Sequence, residues 1–253
     1  MRSNLYNFYK VMVALFIFLS VGACNYGDNV LPQRFSKVTL YGIAITSENG
    51  PSNNIKVGSF IINNFQVGTQ EIDMSFASST EFGLGSNINN VTIRSNAEEE
   101  LGVSASKPQI NTLISSGDHR TAVIGEGSTP NGNYTEVTFQ LYQNKNAPSS
   151  SFTRDKSLYI LGLYEGKPVR MWLTTEESLR ATADTPNGYR ISSNADLILR
   201  FNLDKLLENI DFDKARDRNS DGFIDIGPNN VDSNGEIYTT FRTNLINAIE
   251  FAN

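Results

Sequence analysis

Tyr134-Thr135-Glu136-Val137-Thr138-Phe139-Gln140-Leu141-Tyr142 sets Val137, Phe139 and Leu141 on one face of an extended chain, and Glu136, Thr138 and Gln140 on the other. Apolar and polar residues alternating with a period of two mark a strand with one face in a core and one toward solvent. The pattern recurs on both sides of this stretch. Upstream, Lys37 to Ile45, Ser59 to Phe65 and Thr69 to Phe76 are β-branched and aromatic, with Gly68 separating the last two. Downstream, Leu158 to Tyr164 and Val169 to Leu173 flank Glu165-Gly166-Lys167-Pro168, a hairpin signal. Ala195 to Asn202 alternates again, with Leu197, Leu199 and Phe201 on one side. Gly125 to Asn133 and Ala147 to Ser151 read as loops. Many short strands with turn clusters between them predict a mainly β fold, an antiparallel β-sandwich spanning residues 37–253. Residues 77–116 carry a weaker pattern, with Val91-Thr92-Ile93-Arg94 and a solvated acidic turn at Glu98-Glu99-Glu100.

The last fifth of the chain, 203–253, departs from this pattern and predicts a helix-loop-helix segment. Asn202 is placed to cap a short helix over Leu203 to Ile210. Phe241, Leu245 and Ile249 recur every four residues with Ala248 and Ala252 beside them, which predicts an amphipathic helix lying on the sheet. Between them runs Asp217-Arg218-Asn219-Ser220-Asp221-Gly222-Phe223-Ile224-Asp225. It matches the first nine positions of an EF-hand-type loop. Calcium takes about 6–8 oxygens, and alternate side chains of a tightly turning loop can supply them. The candidate ligands are Asp217, Asn219 and Asp221 through side chains, Phe223 through its carbonyl, and Asp225 directly or through water. The bidentate Glu expected at the twelfth position is replaced by Pro228, so Asp232, Glu236 or Asp213 must complete the set. The alternative is an Asp/Asn-rich turn that holds no metal. A structural calcium ion would neutralise a stretch, Asp204 to Glu236, with nine acids and four bases.

At the other end, Arg2 and Lys10 precede an apolar run from Val11 to Leu19 and small residues from Ser20 to Ala23. The run falls short of the ~20 residues that cross a bilayer, and the pattern is that of a secretory signal. Val21-Gly22-Ala23-Cys24 resembles the lipobox of bacterial lipoproteins, which implies cleavage before Cys24 and a diacylglycerol thioether on its sulfur. Acyl chains bury ~0.8 kcal/mol per CH2, so two or three of them anchor a protein durably. The expected organisation is a signal peptide over 1–23, a tether over 24–36 and the sandwich from 37. Asn25 stands where some bacteria place an inner-membrane retention aspartate, which favours the outer membrane.

Composition then excludes classes. The signal carries two of the 21 basic residues, and the remainder against 27 acidic ones leaves a net charge of −8. A nucleic-acid binder needs a basic face instead. Cys24 is the only cysteine, so a lipidated chain forms no intrachain disulfide. His119 is the only histidine, which rules out multi-histidine zinc. Its context, Ser116-Gly117-Asp118-His119-Arg120, reads as a polar surface turn.

The lipobox, the strand beginning Gly132-Asn133-Tyr134-Thr135-Glu136-Val137, the strand Leu197-Ile198-Leu199-Arg200-Phe201-Asn202-Leu203 and the loop continuing into Ile226-Gly227-Pro228-Asn229-Asn230-Val231-Asp232 occur in that order. Together they resemble uncharacterised β-sandwich lipoproteins of Gram-negative bacteria that carry domains of unknown function. The resemblance implies a cell-envelope location, a transthyretin- or immunoglobulin-like sandwich and no particular activity. It also implies that Asn229, Asn230 and Asp232 belong to the loop's design.

Three functions fit this sequence. The first is a lipid-anchored, non-enzymatic binding or structural module, its partner a glycan or another envelope protein. Tyr164, Trp172 and Tyr189 are candidates for a sugar platform. The second is a glycoside hydrolase, which needs two carboxylates ~5–5.5 Å or ~6.5–9.5 Å apart; Glu126, Glu176 and Glu177 are available. The third is an accessory subunit of an outer-membrane complex.

Overall fold

The computed structural model describes residues 34–47, 55–78, 88–93 and 107–253. The signal segment, Cys24, most of the tether and Glu98 to Glu100 lie outside the described residues. The strands, in chain order, are β1 (Phe35–Ile45), β2 (Lys56–Val57), β3 (Phe60–Ser78), β4 (Ile88–Ile93), β5 (Gln109–Ser115), β6 (Asp118–His119), β7 (Ala122–Pro130) and β8 (Gly132–Leu141). They continue with β9 (Leu158–Tyr164), β10 (Lys167–Leu173), β11 (Ser178–Thr182), β12 (Tyr189–Ile191), β13 (Ala195–Asn202), β14 (Ile224–Ile226) and β15 (Ile249–Ala252). Two helices, α1 (Leu203–Leu206) and α2 (Gly235–Leu245), belong to the last fifth.

The fold is mainly β, two sheets packed as a sandwich. One sheet runs β15-β13-β1-β7 and the other β11-β8-β3-β9-β10-β14, with β2, β4 and β5 also pairing β3. The alternating faces meet between the layers. Phe201 of β13 meets the edges of Phe65 on β3 and Phe139 on β8, at 5.7 and 6.3 Å between ring centroids. Leu197 and Leu199 on one sheet, and Val137 and Leu141 on the other, are fully buried. Two pairings depart from the antiparallel expectation: β1 runs parallel to β13, and β10 parallel to β14. Each joins strands far apart in sequence, so neither needs a tight turn.

Several sequence expectations are corrected. The strand pair expected around Gly68 is one bent strand, β3. A Cβ on Gly68 would lie 1.9 Å from the Tyr142 carbonyl oxygen, so this glycine admits a crossing backbone and does not break the strand. Gly125 to Asn133, expected as a loop, lies largely within β7 and β8. Gly125 and Gly127 pair Leu40 and Val38, and hydrogen bonding to β1 overrides the turn preference of glycine. The tether ends earlier than expected, because Phe35 and Ser36 already pair with β7. The hairpin signal holds: Glu165 (φ 49°) and Gly166 (φ 77°) form a two-residue turn with both residues left-handed, the type I′ geometry that matches strand twist.

In the last fifth, the Asn202 side chain accepts the Lys205 N–H at 3.1 Å and caps α1, which is shorter than expected. Helix α2 buries Ile237, Phe241 and Leu245, then stops. Ile249 and Ala252 are not on it. They lie in β15, which pairs β13 with Phe201 opposite Ile249. Ile249 and Phe251 are buried there while Glu250 reaches the surface side, so a period-two stretch completes the sheet edge where a period of four was expected.

Candidate functional site

The acidic loop is built between two fixed points. Ile224, 5% exposed, anchors β14 in the core, and the parallel ladder to β10 sets Arg170 beside Asp225. Side chains then shape the turn from within. Asp217 Oδ2 accepts the Gly222 N–H at 3.0 Å, closing position one onto position six. Asn219 Oδ1 accepts the Asp221 N–H at 2.8 Å, and Asp221 Oδ1 accepts the Phe223 N–H at 2.9 Å. Gly222 has φ 89°, the left-handed conformation that favours glycine.

Asp232 returns to this turn through a left-handed run at Asn229 (φ 62°), Asn230 (φ 55°) and Asp232 itself (φ 50°). Its two carboxylate oxygens accept the N–H groups of Asn219 at 3.2 Å and Asp225 at 3.1 Å. Asn234, also buried, accepts the Arg216 N–H and donates to the carbonyls of Arg216 and Asp225. Both ends of the loop are thus tied to the segment before α2. Of the other two candidates for completing the set, Asp213 lies elsewhere, accepting the Tyr164 hydroxyl at 2.6 Å. Glu236 is exposed in the first turn of α2.

Arg170 is the member that sequence reasoning missed. It lies on another strand, and nothing near it in sequence is acidic except Glu165. Its Nε donates to Asp225 Oδ1 at 2.6 Å, and Nη2 donates to Asp225 Oδ2 at 2.7 Å and to Asp221 Oδ2 at 3.0 Å. The guanidinium lies 4.2 Å from the Phe152 ring centroid and 3.9 Å from that of Phe223. The Arg170 side chain is 13% exposed and that of Asp225 6%. A bidentate fork between aromatic faces is the arrangement to which guanidinium is best suited. Burial opposes the charge on Arg170, but Asp225 and Asp221 together outweigh it and hold the guanidinium above its ordinary range. Burial pushes the Asp225 carboxyl up against the pull of Arg170. The Phe223 N–H, then Arg170, holds Asp221 below the usual carboxylate range.

One oxygen stands outside this network. Asp217 Oδ1 is buried and accepts no hydrogen bond from the described residues. A buried carboxylate oxygen without a donor is costly, and a hard cation is the kind of partner that satisfies it. The donor set around it is all oxygen, as calcium requires. Among the described residues no three His, Cys, Asp or Glu side chains converge closely enough to hold a metal ion by themselves. The geometry gives the reason: Asp225 is turned to Arg170, and Asp232 to backbone amides.

The remaining candidates are dispersed. Glu176 pairs with Lys145 at 2.8 Å and Glu177 with Arg242 at 2.9 Å, so the adjacent glutamates face different cations. Glu126 lies on β7, opposite Thr39. Tyr164, Trp172 and Tyr189 form no common platform. Tyr164 stacks on Phe212 at 5.3 Å beside a groove of about 350 Å³. Trp172 packs against Phe152 at 5.1 Å. Tyr189 meets Phe251 and bonds to Asp184. His119 is exposed, next to a Ser116-Gly117 turn. Comparisons of the chain with protein-family models, curated proteins and solved structures find no match.

Proposed function

We propose that this chain is a lipid-anchored protein of the cell envelope, held at the outer membrane through Cys24. Its sandwich acts as a non-enzymatic binding or structural module, and a calcium ion fixes its C-terminal segment. The anchor rests on the lipobox-like Val21-Gly22-Ala23-Cys24. The buried, donorless Oδ1 of Asp217 carries the calcium reading. It lies at the first position of a loop already closed onto Gly222, with Asn219 and Asp221 at the third and fifth positions. Asp217, Asn219, Asp221 and the Phe223 carbonyl would hold the ion, and Asp225 and Asp232 would brace the loop around it. Bound calcium would supply positive charge to an acidic segment and lock the path from β14 into α2. Glu176 and Glu177 sit in separate ion pairs and Glu126 lies apart on β7, which favours the binding reading over the hydrolytic one.

Calcium titration by calorimetry and thermal melting tests the site. At a calcium concentration about 100-fold above Kd, binding stabilises by about 2.7 kcal/mol. For a domain of this size that raises Tm by roughly 5–10 °C. The rise is expected in wild type and absent in Asp217→Asn and Asp221→Ala. A wild type indifferent to calcium overturns the calcium reading. For the anchor, Cys24→Ser is expected to release the chain from the membrane fraction; retention there overturns it.

A further inference from the structure

We infer that Arg170 is a built-in competitor for the calcium loop, a tethered cation that holds the loop in register without metal and lowers its affinity for metal. The inference rests on the calcium reading above and concerns how that site is regulated.

Pairing of β10 with β14 puts Arg170 directly opposite Asp225, so the guanidinium is delivered to the loop by the sheet. It is gripped by Asp225 through two bonds and capped on Phe152 and Phe223. Its remaining contact is the informative one. Asp221 occupies the fifth loop position; its Oδ1 takes the Phe223 N–H, and its Oδ2 takes Arg170 Nη2 at 3.0 Å. A cation bound through Asp217 and Asp221 shares the Asp221 carboxylate with Arg170, and it sits near a guanidinium that is mostly buried. Like charges this close repel, with water at the 44% exposed Asp221 side chain screening part of the effect. Arg170 therefore opposes calcium in two ways, by holding a ligand oxygen and by its charge. Among the described residues, the ion pairs of Asp221 and Asp225 are both with Arg170.

The same contacts provide a reporter. Trp172, the only tryptophan in the chain, lies two residues along β10 from Arg170. It packs edge-to-face on Phe152, the ring that Arg170 covers. The backbone of Gly227, just past β14, presses on its indole so closely that a Cβ there would lie 2.3 Å from the ring. A change in the Arg170–Asp221 contact reaches Trp172 through Phe152 on one side and through the loop on the other.

The test is calcium titration of the full chain, wild type against Arg170→Gln and Arg170→Lys, read by calorimetry and by Trp172 emission. Arg170→Gln is expected to bind calcium about 10-fold more tightly. Arg170→Lys keeps the charge but loses the fork, and is expected to fall between the two. Calcium is expected to shift Trp172 emission in wild type. Should Arg170→Gln need calcium to fold, its Tm gain on calcium addition must exceed that of wild type. Equal affinity in wild type and Arg170→Gln, or weaker binding in the variant, overturns the inference and leaves the calcium reading standing. Absence of binding in all three proteins overturns both.

Discussion

Asp232→Asn is the substitution that tests the architecture of the loop most directly. The carboxylate is 7% exposed and has one oxygen on the Asn219 N–H and the other on the Asp225 N–H. It is the only described group that joins the third and ninth loop positions to the segment before α2 through both of its oxygens. The asparagine amide is nearly isosteric but carries a single oxygen. If that oxygen stays on the buried Asp225 N–H, the amide nitrogen faces the Asn219 N–H, donor against donor. A hydrogen bond to a charged group contributes about 1.5–3 kcal/mol, and a buried donor left unsatisfied costs about 1–3 kcal/mol. The Asn219 amide is partly exposed and water recovers some of its loss, so the expected destabilisation is roughly 2–4 kcal/mol. At ~2–4 °C per kcal/mol this lowers Tm by about 5–15 °C. Urea denaturation in a calcium chelator measures it as a lower midpoint at unchanged slope. Hydrogen exchange should show the loss of protection concentrated at Asn219 and Asp225. A variant within about 0.5 kcal/mol of wild type, with both amides still protected, would refute the bridging role.

Two further outcomes follow from local geometry. The hydrogen bond from Tyr164 to Asp213, with burial second, pushes the phenol up to about 12 from 10.0. A raised folded value means that its stabilising contribution is complete below pH 10 and is lost as pH rises through about 12. In phenolate absorbance, Asp213→Asn should return one tyrosine toward its ordinary range, and an unchanged titration would contradict the bond. At the type I′ turn, Glu165 bears the left-handed penalty with no compensating side-chain geometry. Glu165→Asn is expected to stabilise by about 0.5–1 kcal/mol, seen as a higher urea midpoint, and a loss of stability would count against this turn assignment.

Much of the sandwich is legible in the sequence because its determinants are local. Val137, Phe139 and Leu141 on β8, and Leu197, Leu199 and Phe201 on β13, declare their faces by alternation alone. Glu165-Gly166 declares its hairpin, Asn202 its cap, and Asp217 to Gly222 its closed turn, each through contacts within a few residues. Other features depend on partners distant in the chain. Gly125 and Gly127 are strand residues only because β1 pairs with them. Ile249 fits the helical spacing of Phe241 and Leu245 and also the strand spacing of Phe251, and the open edge of β13 decides for the strand. Glu176 and Glu177, adjacent in sequence, are separated in function by Lys145 and Arg242. The acidic loop shows the division most clearly. Its sequence alone supplies oxygen-bearing side chains at alternate positions and a glycine where the turn must be left-handed. Only the parallel pairing of β10 with β14 brings Arg170 to Asp225 and Asp221, because a sheet register joins residues that no sequence spacing relates.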